Sequence, residues 1–158
     1  MKTQKNKKND IMKTIGIVLG VVGLFALVFF ASTLRDDNSI IPTVIDTTVA
    51  DYFELKKGDV PAIVLFARNG CDWCSKYKPV INKVSFDYNL PIYYVNTQNM
   101  TQDEYDSIVI DSPYVSSEGG FGTPLTLIVG NNEEIGYIDG YVEYSRVVEV
   151  LKEKGLIE

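Results

Sequence analysis

The chain contains two cysteines, and they stand two residues apart in Cys71-Asp72-Trp73-Cys74. At the start of a helix such a pair faces one side, one turn apart, within reach of an intramolecular disulfide. Cys71 then sits where helix N–H groups point outward, and their partial positive charge favours thiolate, the species that attacks disulfides. Cys74, further inside the first turn, is suited to resolving the mixed disulfide so formed. Two other readings remain open on spacing alone. A structural disulfide is one, although closing so short a loop removes little entropy from the unfolded chain. Half of a zinc site is the other, and without histidine a dimer would have to supply all four thiolates.

What the chain lacks narrows the chemistry further. No histidine occurs, which removes Ser-His-Asp and Cys-His catalysis and acid-base work by imidazole. A net charge of -6 argues against a nucleic-acid partner, which would call for a basic footprint. At 158 residues there is room for one ordinary domain and a short extension.

The elements that must position the cysteines follow from the apolar patterning. Pro61 to Ala67 is a continuous apolar run too short for a helix, as expected of a strand covered on both faces. Asn69-Gly70 marks a turn, and Tyr77, Val80, Ile81 and Val84 recur at helical spacing after it, to about Asp87. A redox-active C-x-x-C gains specificity in this strand-turn-helix setting. Before it, Val49, Tyr52 and Phe53 predict a helix from Thr47 that closes near Lys57. After it come a strand at Pro91 to Val95, a helix opened by Thr101 and running to about Ile110, and an exposed loop at Ser112 to Gly120. Strands at Leu125 to Val129 and Ile135 to Asp139 flank a hairpin turn, and Val142 to Lys154 predicts the last helix. The expected fold is α/β, a mixed sheet with helices on both faces and a right-handed crossover between its parallel strands.

Ahead of this domain, Thr14 to Leu34 forms 21 consecutive uncharged residues, long enough to cross ~30 Å of hydrocarbon. Lys2, Lys5, Lys7, Lys8 and Lys13 precede it against one acid, Asp10, so the N-terminus is expected to stay cytoplasmic. A cleaved signal peptide ending at Ala31-Ser32-Thr33 is the competing reading, disfavoured by the length of the run and by bulky Phe29-Phe30. Expected boundaries are a basic cytoplasmic tail at 1–13, a transmembrane helix at 14–34, a linker at 35–46 and the domain at 47–158. From Asp36 onward nine lysines and arginines face 20 acids, so the external part is strongly acidic.

The sequence resembles the thioredoxin superfamily in Phe66-Ala-Arg-Asn-Gly-Cys-Asp-Trp-Cys74 after a strand, Pro79 five residues beyond the second cysteine, Gly122-Thr-Pro-Leu-Thr-Leu-Ile-Val129 before a hairpin, and Gly140 before the last helix. With its apolar N-terminal run the chain is similar to the membrane-tethered, extracytoplasmic thioredoxin-like proteins of Gram-positive bacteria, including bacteriocin transport accessory proteins. The resemblance implies a thioredoxin-like fold, a helix kinked at Pro79 and a cis bond before Pro124. It also implies that Pro124 lies against the dithiol and that Thr123, before it, presents backbone groups to an extended substrate, so that both belong to the substrate-binding site. Trp73 is expected to join them in substrate binding. Two departures bear on mechanism. Leu65 stands where thioredoxins proper carry a buried aspartate, and Gly70 stands where they have tryptophan.

The expected function is a membrane-anchored thiol-disulfide oxidoreductase with Cys71 as nucleophile and Cys74 as resolving thiol. Its partners would be cysteine-containing exported proteins or peptides and a redox partner protein. No metal or organic cofactor is required by this chemistry. The alternative is a thioredoxin-like peptide-binding or exporter-accessory module in which redox chemistry is secondary. Tyr114 and Phe121, aromatics of the expected loop, are either substrate contacts or ordinary packing residues.

Overall fold

The computed structural model describes residues 44–158. The expected tail, transmembrane helix and most of the linker lie outside the described residues. Among the described residues no helix is long and apolar enough to cross a membrane.

Five strands form one sheet in the order β1-β3-β2-β4-β5: β1 (Val44–Thr47), β2 (Ala62–Ala67), β3 (Ile92–Asn96), β4 (Leu125–Gly130) and β5 (Glu133–Asp139). β1 and β2 run parallel to β3 on either side of it, whereas β4 is antiparallel to both β2 and β5. Five helices cover the sheet: α1 (Val49–Lys57), α2 (Asp72–Tyr88), α3 (Gln102–Asp111), α4 (Pro113–Glu118) and α5 (Tyr144–Glu153). A short 3-10 turn at Thr97–Asn99 links β3 to α3.

β2 is the centre of the molecule, and all six of its residues are buried. Its alternation divides the core. Ile63, Leu65 and Ala67 pack with Cys74, Tyr77, Ile81 and Val84 of α2 and Val147 and Leu151 of α5. Val64 and Phe66 pack on the opposite face with Tyr52 of α1, Ile108 of α3 and Val115 of α4. A strand with both faces covered needs apolar residues at every position, which explains the unbroken run.

The helices begin and end where local chemistry dictates. Thr48 with Asp51, and Thr101 with Glu104, form reciprocal capping boxes at the starts of α1 and α3. α2 stops at Asn89, in the left-handed conformation at φ 50°, whose N–H returns to the carbonyls of the last turn. In the β4–β5 hairpin, Asn131 and Asn132 both adopt positive φ, as a two-residue connection matched to the strand twist requires.

Two expectations are corrected. Val44–Thr47 is a strand, so the sheet begins inside the stretch 35–46 read as a linker. With four residues alternating between exposed and half-buried, β1 offers too little periodicity to stand out, and its pairing with β3 supplies the order. Ser112 to Gly120 is not an exposed loop: Pro113 opens α4, the Ser112 side chain caps it, and Ser112 and Val115 are fully buried. The observed element order thus adds β1 at the front and α4 before β4.

The added helix is fastened through polar groups. Lys56 Nζ lies 2.8 Å from Asp111 Oδ2, and Tyr52 donates its hydroxyl to the same oxygen at 2.9 Å. Burial first, then the Asp111 carboxylate, pushes the Tyr52 phenol well above its ordinary range, so it stays a donor. Next in sequence, the Ser112 hydroxyl donates to Glu134 of β5, whose other oxygen accepts the Tyr114 N–H at 3.3 Å. Asp111→Ala would leave the Lys56 ammonium buried without its partner. We expect a loss of about 3 kcal/mol, read as a lower urea midpoint at unchanged slope, with much of it recovered in Tyr52→Phe/Lys56→Met/Asp111→Leu, which removes the buried hydroxyl along with the ion pair.

Candidate functional site

Cys71 is the N-cap of α2, directly beyond the turn that follows β2. Gly70 makes that turn possible, with φ of 69° in the left-handed region that L side chains rarely adopt. Cys71 and Cys74 are joined as a disulfide with their Cα atoms 5.2 Å apart. The Cys74 amide donates to Cys71 Sγ at 3.1 Å, so the sulfur fills the place usually taken by a Ser, Thr or Asp oxygen at a helix start. In the reduced state the same amide stabilises a Cys71 thiolate.

The two sulfurs are unequal in access. Cys74 is 1% exposed, whereas Cys71 is half-buried and faces the loop before β4. There the Thr123 carbonyl oxygen lies 3.4 Å from Cys71 Sγ, and the Thr123 hydroxyl points to the same sulfur at 3.6 Å. The Thr123–Pro124 bond is cis, and the Pro124 carbonyl accepts the Gly140 N–H at 2.9 Å, which ties the β5–α5 loop to the β4 entry. Trp73 is 56% exposed and stacks on Tyr141, ring centroids 5.9 Å apart, with Lys76 Nζ 4.5 Å above the indole. Trp73, Thr123, Pro124, Gly140 and Tyr141 enclose a cleft of about 200 Å³.

All five residues singled out from the sequence, Cys71, Trp73, Cys74, Thr123 and Pro124, therefore meet at one end of the sheet. Phe121 lies nearby in a second cleft, while Tyr114 stacks on Tyr137 of β5, 3.6 Å between centroids, and lines neither cleft. Sequence reasoning passed over Tyr141 and Tyr105. Gly140 was the available signal for the first, since the residue after a glycine that meets the proline loop must lie beside the dithiol. Nothing in the spacing of α3 marks Tyr105.

Behind the disulfide the core holds no carboxylate. Leu65 pairs with Tyr94 of β3, whose hydroxyl donates to the Ala67 carbonyl at 3.3 Å. Tyr77 receives the Thr126 hydroxyl proton at 3.3 Å, and burial pushes its phenol up to about 12, so it is neutral at ordinary pH. Among the described residues no aspartate or glutamate is fully buried, and no group of three or more Cys, Asp or Glu is placed to hold a metal ion. A proton leaving Cys74 therefore meets no carboxylate in the core.

No protein-family model and no curated protein matches the chain. Among solved structures it is similar to thioredoxin from Aeropyrum pernix, 19% identical, with a TM-score of 0.51, covering 68% of this chain and 83% of that one. Thioredoxin from Trypanosoma brucei brucei is 16% identical with a TM-score of 0.56, covering 73% and 94%. Residues 44–158 thus adopt the thioredoxin fold.

The electrostatics at Cys71 are opposed. α2 amides and the exposed Arg68 guanidinium favour the thiolate, while Asp72, the first residue of the same helix, brings a full negative charge beside it. A less stabilised thiolate makes a weaker oxidant, so the expected reduction potential lies nearer about -270 mV than about -120 mV. Asp72→Asn should move it toward the oxidising end by about 10–20 mV, the equivalent of an exposed charge at a helix terminus, measured by equilibration with glutathione.

Proposed function

We propose that the protein is a thiol-disulfide oxidoreductase, anchored in a membrane by residues 14–34, whose domain exchanges disulfides with exported proteins. The observation that carries this reading is the asymmetry of the closed Cys71–Cys74 pair, with one sulfur at a helix start facing the Thr123–Pro124 loop and the other buried behind it. A disulfide serving only stability has no need of that exposure.

In the reducing direction, the Cys71 thiolate attacks one sulfur of a substrate disulfide. The substrate S–S bond breaks, a mixed disulfide forms, and the departing substrate sulfur leaves as thiolate and takes a proton from solvent. Cys74 then loses its proton and attacks the Cys71 sulfur, which releases the second substrate thiolate and closes the Cys71–Cys74 bond. Two electrons and two protons pass from the dithiol to the substrate. The reverse sequence oxidises a substrate dithiol. On this reading Thr123, which lies against the reacting sulfur, pairs its backbone with an extended substrate chain, and Trp73 joins it in binding. An external location rests on the five lysines before the apolar run.

A second reading is a peptide-holding module, such as an accessory subunit of a peptide exporter, and the exposed Trp73–Tyr141 stack favours it. Activity surviving replacement of both cysteines would support it.

In intact cells, Cys74→Ser should accumulate disulfide-linked complexes through Cys71, and Cys71→Ser should not. The captured partners should be exported proteins, and protease added to protoplasts should digest the complexes without lysis. Equal trapping by both variants would refute the assignment of Cys71, and protection until lysis would refute the topology.

A further inference from the structure

The second cleft, about 280 Å³, is lined by Arg68, Thr97, Gln98, Tyr105, Phe121 and Thr123, with Gly122 between the last two. Thr123 belongs to both clefts, and Cys71 Sγ rests against it. A chain whose sulfur reacts with Cys71 therefore has Trp73 and Tyr141 to one side and Arg68 to the other. We propose that this second cleft is a substrate subsite that takes a carboxylate close to the reacting cysteine, with Arg68 as the residue that selects it. The proposal rests on the oxidoreductase reading.

Charge supports it first. Residues 44–158 carry nine lysines and arginines against 18 acids, so a cation without a partner is not a surplus to be expected. Lys56, Lys57, Lys83 and Arg146 are taken by ion pairs, and Lys76 and Lys78 lie over the rings of Trp73 and Tyr94. Lys152 and Lys154 stand at the C-terminal end of α5, where cations complement the helix dipole. Arg68 is exposed beside the dithiol and, among the described residues, has no ion pair. No acid lines its cleft.

The walls of the cleft are rigid, which is what a selective site needs. Tyr105 stacks flat on Phe121, centroids 4.9 Å apart and planes 17° apart, and Phe121 meets buried Phe66 edge-on at 5.5 Å. The Phe121 N–H donates to the Tyr105 hydroxyl at 3.0 Å, which leaves the phenolic proton for another acceptor. Gly120 permits this approach, because a Cβ there would lie 2.6 Å from the Tyr105 oxygen, at a φ of 143°. The result is an apolar shelf for the stem of a side chain, with a guanidinium and the Thr97 and Gln98 side chains as donors at its rim. Arginine's planar fork matches one carboxylate in bidentate fashion.

The carboxylate has two sources, an acidic side chain beside the cysteine or the terminal carboxylate of a short thiol. The test uses pentapeptide amides whose cysteine is held as a mixed disulfide with uncharged 2-thiopyridine and is flanked on each side in turn by Glu, Gln or Lys. A further arm is the Gln peptide with a free C-terminal carboxylate. Rate constants are measured with the reduced full chain in detergent, as wild type, Arg68→Gln and Arg68→Lys. Wild type should favour Glu over Gln at one flank, or the free terminus over the amide, by about 1.5- to fivefold, the range to which an exposed ion pair converts. The preferred arm identifies the source. In Arg68→Gln the ratio should fall to about one, and in Arg68→Lys part of it should remain. A wild-type ratio of one in every arm, or a ratio unchanged in Arg68→Gln, overturns the proposal. If no peptide exchanges at all, the oxidoreductase reading fails instead. The cleft is then judged by titrating serine versions of the Glu, Gln and free-terminus peptides into the oxidised protein and following NMR shifts at Arg68, Tyr105 and Phe121. Larger shifts with a carboxylate-bearing peptide than with the Gln amide sustain the subsite, and equal or absent shifts overturn it.

Discussion

The hydrogen bond from the Cys74 amide to Cys71 Sγ, 3.1 Å long, holds the sulfur at the one point where a helix start, a strand end and the Thr123–Pro124 loop converge. A helix leaves its first N–H groups without partners inside the helix, and a sulfur that satisfies one of them is both fixed in place and biased toward its anionic form. That position is dictated from behind by β2. Its fully buried residues fix where the strand ends, and the turn through Gly70 then delivers Cys71 to the first turn of α2. β4 arrives antiparallel alongside β2, with Phe66 opposite Leu125, so the residue two before Leu125 is Thr123, at the sulfur.

From this convergence the inequality of the two cysteines follows. The face of α2 that carries Cys74, Tyr77, Ile81 and Val84 is pressed onto β2, and it takes Cys74 out of solvent while Cys71 stays at the rim. The core behind them contributes no carboxylate, since Leu65 and neutral Tyr77 stand where an acid would alter the chemistry. Control of the thiolate thus falls to the helix amides, Thr123, Arg68 and Asp72, all at the surface. On the other face, α3 and α4 form an insertion between β3 and β4 that is clamped by Lys56, Asp111 and Glu134 and carries Tyr105 to the edge of the site.

The central parts were legible because their signals are local. An apolar run, a turn, the C-x-x-C pair and an amphipathic segment specify β2 and α2 within a few tens of residues, and Asn131-Asn132 specifies the β4–β5 turn. β1 was missed because four residues alternating with Asp46 and Thr47 gain their order from β3, almost fifty positions later. α4 was missed because Ser112-Pro113 and Gly119-Gly120 read as loop punctuation, when they are the cap, first residue and stop of a six-residue helix. Its burial comes from Val115 packing into the core on that face, and its start is held by a carboxylate on β5, contacts with no trace in the local sequence. Arg68 and Tyr105 approach one cleft from different elements for the same reason.

Everything at this site depends on Cys71 being the reactive sulfur and Cys74 the sheltered one. Alkylation of the reduced protein with iodoacetamide at pH 7, followed over time and located by peptide mass mapping, tests this directly. Cys71 should be modified at least about tenfold faster than Cys74, as thiolate character and access both require, and Cys74 should react freely only after unfolding. Equal labelling of the two in the folded protein, or Cys74 reacting first, would contradict the account.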